Sequence, residues 1–115
     1  MSAPGLVVDF TTRFMEAVHA SDAYFQTRNP TRGQRFAHEL FTLLYDVVAV
    51  FPRSQPLFQP LCEQWPGREF RKAVFRRQYL AVYEVLPDRV QFVLFRHSSA
   101  DPSGGLDDLL AELRD

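Results

Sequence analysis

The sequence predicts an α+β fold in the order β-α-α-β-β-β: an antiparallel sheet packed against a helical hairpin, with a short C-terminal helix appended. Three observations lead there. Apolar residues recur at three- and four-residue steps over residues 13–50, the period of helices buried on one face. Over residues 69–95, β-branched and aromatic residues crowd into three short runs, the composition of strands. Between these regions stand Pro52, Pro56, Pro60, Pro66 and Gly67, which interrupt both patterns.

Each element has its own local cause. Leu6, Val7, Val8, Asp9 and Phe10 read as a short strand introduced by Pro4 and Gly5. Thr11 or Thr12 supplies a cap for a helix over residues 13–28. Its apolar face is Phe14, Ala17, Val18, Ser21 and Phe25, while Arg13, Glu16 and Asp22 stay off it. Asn29-Pro30 ends that helix, because the residue before proline is pushed out of the α region. A second helix is expected over 31–50, with Phe36, Leu40, Leu43, Leu44, Val47 and Val48 on its buried face. So short a link folds the two helices into an antiparallel hairpin.

Phe51-Pro52 stops the second helix. The proline density of residues 52–67 predicts neither regular helix nor central strand. Phe58, Leu61 and Trp65 within it predict a loop pinned to the core. Strands are expected over 70–75, 79–85 and 90–95, reversing at Arg76-Arg77-Gln78 and at Pro87-Asp88-Arg89. Reversals this short join antiparallel neighbours. The last two strands are apolar on both faces, so both faces must be covered. The helical hairpin covers one; the proline-rich loop, the C-terminal tail or another protein covers the other. Pro102-Ser103-Gly104-Gly105 breaks the chain again. Leu106, Leu109, Leu110 and Leu113 then mark a short amphipathic helix with Asp107 and Asp108 in its first turn. The organisation expected is one domain over 1–101 and an acidic extension over 102–115.

Composition narrows the function classes. At 115 residues, 46% apolar and 23% charged, the chain can build one core without disulfides and does not resemble a disordered or fibrous protein. Its longest apolar run, Val47 to Phe51, is far short of the ~20 residues of a membrane helix. No basic residue precedes the first apolar stretch, unlike a secretory signal. The lone Cys62 fits a reducing compartment, so a cytoplasmic location with no membrane is expected. The net charge of −1 conceals an asymmetry. Residues 53–100 carry eight basic residues and four acids, and residues 101–115 carry one arginine and five acids. A basic centre is thus offset by an acidic tail.

The chain has no Gly-rich phosphate loop, Cys-x-x-Cys pair or nucleophile elbow. His38-Glu39 begins like a zinc-protease helix, but Thr42 stands where the second histidine belongs. His19, His38 and Cys62 therefore read as ordinary structural residues, and no metal or cofactor is expected. The chemically informative stretch holds Arg68, Arg71, Lys72, Arg76 and Arg77 against one acid, Glu69. Tyr79 and Tyr83 follow, and Arg96-His97 closes the third strand. Arginine and lysine bind phosphate, tyrosine stacks on bases, and histidine moves protons near neutral pH. Such a set suits metal-independent RNA cleavage, in which a base activates the 2′-hydroxyl and an acid protonates the leaving oxygen. The competing reading, favoured by composition, is a solvated basic strand whose arginines pair with the acidic tail. Arg71 and Lys72 are adjacent in a strand and point to opposite faces, so the set does not serve one site as a whole.

The succession of strand, helical hairpin, proline-marked loop and meander resembles the toxins of the RelE/ParE superfamily, from bacterial type II toxin–antitoxin modules. The resemblance covers residues 6–101. It is carried by the strand at 6–10, Asn29-Pro30, Phe51-Pro52, Arg71, the Tyr79-Leu80-Ala81-Val82-Tyr83 run and Phe95-Arg96-His97. It implies one of two activities. One branch cleaves messenger RNA in the ribosomal A site. Its pattern is answered here by His97, Arg71 and Tyr83 as catalytic candidates, with Arg71, Lys72, Arg76, Arg77 and Arg96 contacting target or RNA. The other branch inhibits DNA gyrase and does not need the cleavage residues. The chain is less basic than the nuclease branch and has no lysine-rich loop, so the resemblance implies a ParE-like toxin of a plasmid-stabilisation module. Ribosome-dependent cleavage and a degenerate, non-toxic antitoxin-binding member are the alternatives. The implied partner is a cognate antitoxin in a hetero-oligomer. For the acidic extension, one expectation is that its leucine face docks on the sheet and sets Asp107, Asp108 and Glu112 near the meander arginines. The other is an exposed, frayed helix.

Overall fold

Thr11 opens the helical half of the molecule. The computed structural model describes residues 7–28 and 30–97. In it, strand β1 (Val7–Phe10) leads directly into helix α1 (Thr12–Arg28). The Thr11 hydroxyl accepts a hydrogen bond from the Phe14 N–H at 3.1 Å, which satisfies one of the free donors of the first turn. Among the described residues, Phe14 and Val18 are the buried ones on this helix's inner face.

Helix α2 (Pro30–Leu43) begins on its proline, a position where no intrahelical N–H is needed. Its buried residues continue past its end: Phe36, Leu40, Leu44 and Val48 are fully buried and fall four apart. A stripe at four-residue steps drifts about 40° per step around a regular helix. The helix responds by widening into a π-helical segment, Leu44–Val48, in which the Ala49 N–H donates to the Leu44 carbonyl at 2.9 Å. The wider turn returns Val48 to the buried line and rotates Val47 outward. Val47, expected on the apolar face, is 40% exposed for that reason.

Strands β2 (Glu69–Phe75), β3 (Tyr79–Val85) and β4 (Arg89–His97) form the expected antiparallel meander. The sheet order is β1-β4-β3-β2. β1 joins β4 in parallel, Val7 opposite Arg89 and Phe10 opposite Phe92, so the sheet is mixed rather than antiparallel throughout. A parallel neighbour needs a long crossover, and the two helices supply it. A β-bulge between Val82 and Tyr83 sets Val82 opposite Leu94 and Tyr83 opposite Phe92.

Both faces of the meander are covered, by different elements. The helical hairpin packs Phe14, Phe36, Leu40, Leu44 and Val48 against Phe75, Tyr79, Ala81, Tyr83, Phe92 and Phe95. Phe36 sits among Phe75, Tyr79 and Phe95 with ring centroids 5.4–6.2 Å away. On the opposite face Phe58 and Leu61 pack with Phe70, Val82, Val93 and Leu94. Of the three coverings expected there, the proline-rich segment is the one seen. It is also more regular than expected, with a 3-10 turn at Pro52–Ser54 and a short helix α3 (Gln59–Gln64). Prolines are confined to the first turn of each, where they remove no hydrogen bond. Backbone bonds from Phe58 N–H to the Phe70 carbonyl (2.8 Å) and from Lys72 N–H to the Pro56 carbonyl (3.0 Å) fasten this segment along the edge of β2.

Leu6, Asn29, the side chain of Phe25 and the whole of 98–115 lie outside the described residues, and with them the expected C-terminal helix and its docking. Among the described residues no helix is long and apolar enough to cross a membrane.

Candidate functional site

The β2–β3 turn places two arginines at one end of the sheet. The Gln78 N–H donates to the Phe75 carbonyl at 3.1 Å, and the two residues enclosed, Arg76 and Arg77, have φ of 51° and 61°. Tight hairpin turns of this hand favour Asn and Gly, and each other residue held in the left-handed region costs on the order of 1 kcal/mol. Arg76 is fixed by donating from Nε (3.1 Å) and Nη2 (2.8 Å) to Glu39 Oε1, with its guanidinium 5.4 Å from the Phe36 ring centroid and 5.3 Å from that of Phe75. The hydrogen bond from Arg76 holds the Glu39 carboxyl below its ordinary range. Arg35 is one helical turn before Glu39 on α2, and both Arg35 and Arg77 are exposed. These four side chains line an open cleft of about 470 Å³ between α2 and the turn.

His97 reaches the same end of the sheet from β4. It is paired opposite Tyr79, and the two rings meet edge-on at 5.1 Å. Tyr79 is buried, stacks on Phe95 at 5.3 Å, and has its hydroxyl pKa pushed up, chiefly by burial. Tyr24 on α1 is exposed, with the Arg28 guanidinium 4.7 Å over its ring.

The other end of the sheet also holds arginines, but these are engaged by acids. Arg71 donates to Glu69 Oε2 at 2.6 Å and to the Gln55 carbonyl. Arg53 donates to Glu69 Oε1 at 3.0 Å. Burial alone would raise the Glu69 pKa, but the bonds from Arg71 and Arg53 outweigh it and hold the carboxyl below its ordinary range. Arg68 makes a bidentate pair with Glu84, both bonds at 2.7 Å, and Glu84 is 3% exposed. Arg68 also lies 5.3 Å from the Trp65 ring centroid. A buried carboxylate of this kind needs such a partner.

The three catalytic candidates are not brought together. Arg71 is opposite Tyr83, and His97 is opposite Tyr79. Tyr79 and Tyr83 are four residues apart on β3, which is roughly 13 Å. Tyr83 has no exposed surface, and its hydroxyl donates to the Pro52 carbonyl at 2.6 Å. Burial pushes its pKa well above the ordinary value. Tyr83 is therefore a core residue with no surface to offer a substrate. Of the binding candidates, Lys72 and Arg96 are paired opposite Val82 and Leu80 and so lie on the face away from the helical hairpin. What the fold does gather is Arg76, Arg77 and His97, joined by Arg35 and Glu39 from α2. Arg35 was not singled out from the sequence, and Glu39 entered only through the incomplete zinc-protease pattern His38-Glu39. Their signal was present as an i, i+4 Arg–Glu pair on a helix, but such pairs are common on solvated faces. Glu84 was also legible, as an acid inside an apolar strand. Among the described residues no group of three His, Cys, Asp or Glu side chains is placed to hold a metal ion.

No protein-family model matches the chain, and no curated protein matches it either.

Proposed function

We propose that the chain is a toxin that acts by binding and inhibiting an essential macromolecule, in the manner of the ParE-like branch its sequence resembles. DNA gyrase is the target this reading names, and a cognate antitoxin is the neutralising partner. The observation that carries it is the dispersal of the cleavage set: Tyr83 is buried, Arg71 is held by Glu69 and Gln55, and His97 stands at the far end of β3. Binding needs no such centre, whereas proton transfer needs its acid and base within hydrogen-bond reach of one reacting group. Purified full-length protein is expected to inhibit gyrase supercoiling and to arrest growth when expressed without its antitoxin. Normal supercoiling at saturating protein overturns this reading.

Messenger cleavage on the ribosome is the second reading, and one observation favours it: His97 shares its end of the sheet with Arg76 and Arg77. It predicts cleavage on programmed ribosomes that His97→Ala abolishes. Intact messenger in that assay excludes it.

A further inference from the structure

We propose that the cleft between α2 and the β2–β3 turn binds the phosphodiester backbone of a nucleic acid, with Arg35, Arg76 and Arg77 as its contacts. The inference goes beyond inhibition by binding, since a protein target does not require such a site. Three observations carry it.

The first is convergence: three guanidiniums line one open cleft of about 470 Å³ with, among the described residues, a single acid in its lining, Glu39. Glu39 does not simply cancel them. Among the described residues, both of its hydrogen bonds go to Arg76, which it fixes in place, so the site is organised before a ligand arrives. The second is the turn. Positions at φ 51° and 61° are ones where glycine or asparagine is at ease, yet both are arginine. The exposed Arg77 side chain adds nothing to the core that would offset the backbone cost. Strain kept at an exposed turn points to work done outside the fold. The third is contrast. Arg53, Arg68, Arg71 and Arg89 are paired with Glu69, Glu84, Glu69 and Asp9. At the opposite end of the sheet Arg35 and Arg77 are both exposed, Arg35 acting on the same Glu39 that holds Arg76. Tyr79 interacts electrostatically with both Tyr24 and Arg76, so the Tyr24–Arg28 stack lies at this same end. It is a surface of the type on which bases stack.

The test is fluorescence anisotropy of the full-length protein with three labelled probes: a short DNA duplex, a single-stranded RNA of equal length and a polyglutamate peptide. Salt is varied over about 50 to 200 mM. Nucleic acid is expected to bind. Each of Arg35→Gln and Arg77→Gly is expected to flatten the plot of log K against log salt by about 0.9 for duplex or 0.7 for a single strand. Arg89→Gln, at the other end of the sheet, leaves the slope unchanged. Arg77→Gly also raises Tm, because glycine adopts the required φ freely, so its weaker binding cannot be put down to unfolding. Preference for duplex assigns the phosphates to DNA, and preference for the single strand assigns them to RNA; both support the site. Slopes unchanged in Arg35→Gln and Arg77→Gly overturn it, as does binding of polyglutamate alone. Gyrase inhibition is measured separately on the wild-type protein, so its failure removes the target and leaves the phosphate site standing.

Discussion

The hydroxyl of Tyr83 ties the middle of the sheet to the start of the proline-rich segment through the Pro52 carbonyl. Tyr83→Phe keeps the ring packing against Phe92 and strands that carbonyl. A loss of about 1 to 2 kcal/mol is expected in urea denaturation. Tyr83 and Tyr79 also set an alkaline limit. Both have folded-state pKa values raised above the ordinary phenol value by burial. Below about pH 10 both are neutral in the folded and unfolded chain and cost nothing. Above it the unfolded chain ionises first, the folded chain holds more protons, and stability falls as pH rises. Tm followed from pH 9 to pH 11 is expected to be level and then decline, and the decline is shallower in Tyr83→Phe. The catalytic role expected of Tyr83 and its buried position trace to one ambiguity. Strand alternation separates inside from outside only when one face is polar, and β3 is buried along nearly its whole length.

At the scale of elements, α3 is a small piece with a large share of one core. Leu61 is fully buried and joins Phe58 against Phe70, Val82 and Leu94. Leu61→Ala is expected to cost about 2 to 4 kcal/mol in chemical denaturation, which would mark the proline-rich segment as part of the cooperative unit. The helical hairpin, the three meander strands and both reversals were legible because each depends on local chemistry: periodicity, β-branching, proline and turn residues. Two features were not. The parallel pairing of β1 with β4 joins residues at opposite ends of the chain and leaves no local signature. Helix α3 hides behind prolines that break a helix at its middle but open one at its first turn. The π-helical segment lies between these cases. The four-residue spacing of Phe36, Leu40, Leu44 and Val48 is visible in the sequence, but only the folded chain shows that the backbone widens to serve it.

For the molecule as a whole, the fold sorts the arginines. The sequence places eight basic residues over 53–100. Four of these, Arg53, Arg68, Arg71 and Arg89, are ion-paired at one end of the sheet with three acids, Glu69, Glu84 and Asp9. The opposite end takes its charge partly from α2, so a count along the chain misplaces the basic surface. Net charge still matters at long range. Residues 103–115 hold four acids and one arginine, so removing them changes the net charge from −1 to +2. That truncation is expected to tighten binding to a DNA duplex several-fold at about 50 mM salt, with the gain largely screened at about 200 mM. The pairing of β1 with β4 carries one more consequence, in the order of synthesis. Among the described strands the first made waits for the last, and the sheet closes only when Arg89 to Phe92 have left the ribosome to meet Val7 to Phe10. Until then β1 and its helices have no finished sheet to cover. The β1 edge of the sheet is therefore the last of its seams to close as the chain is made.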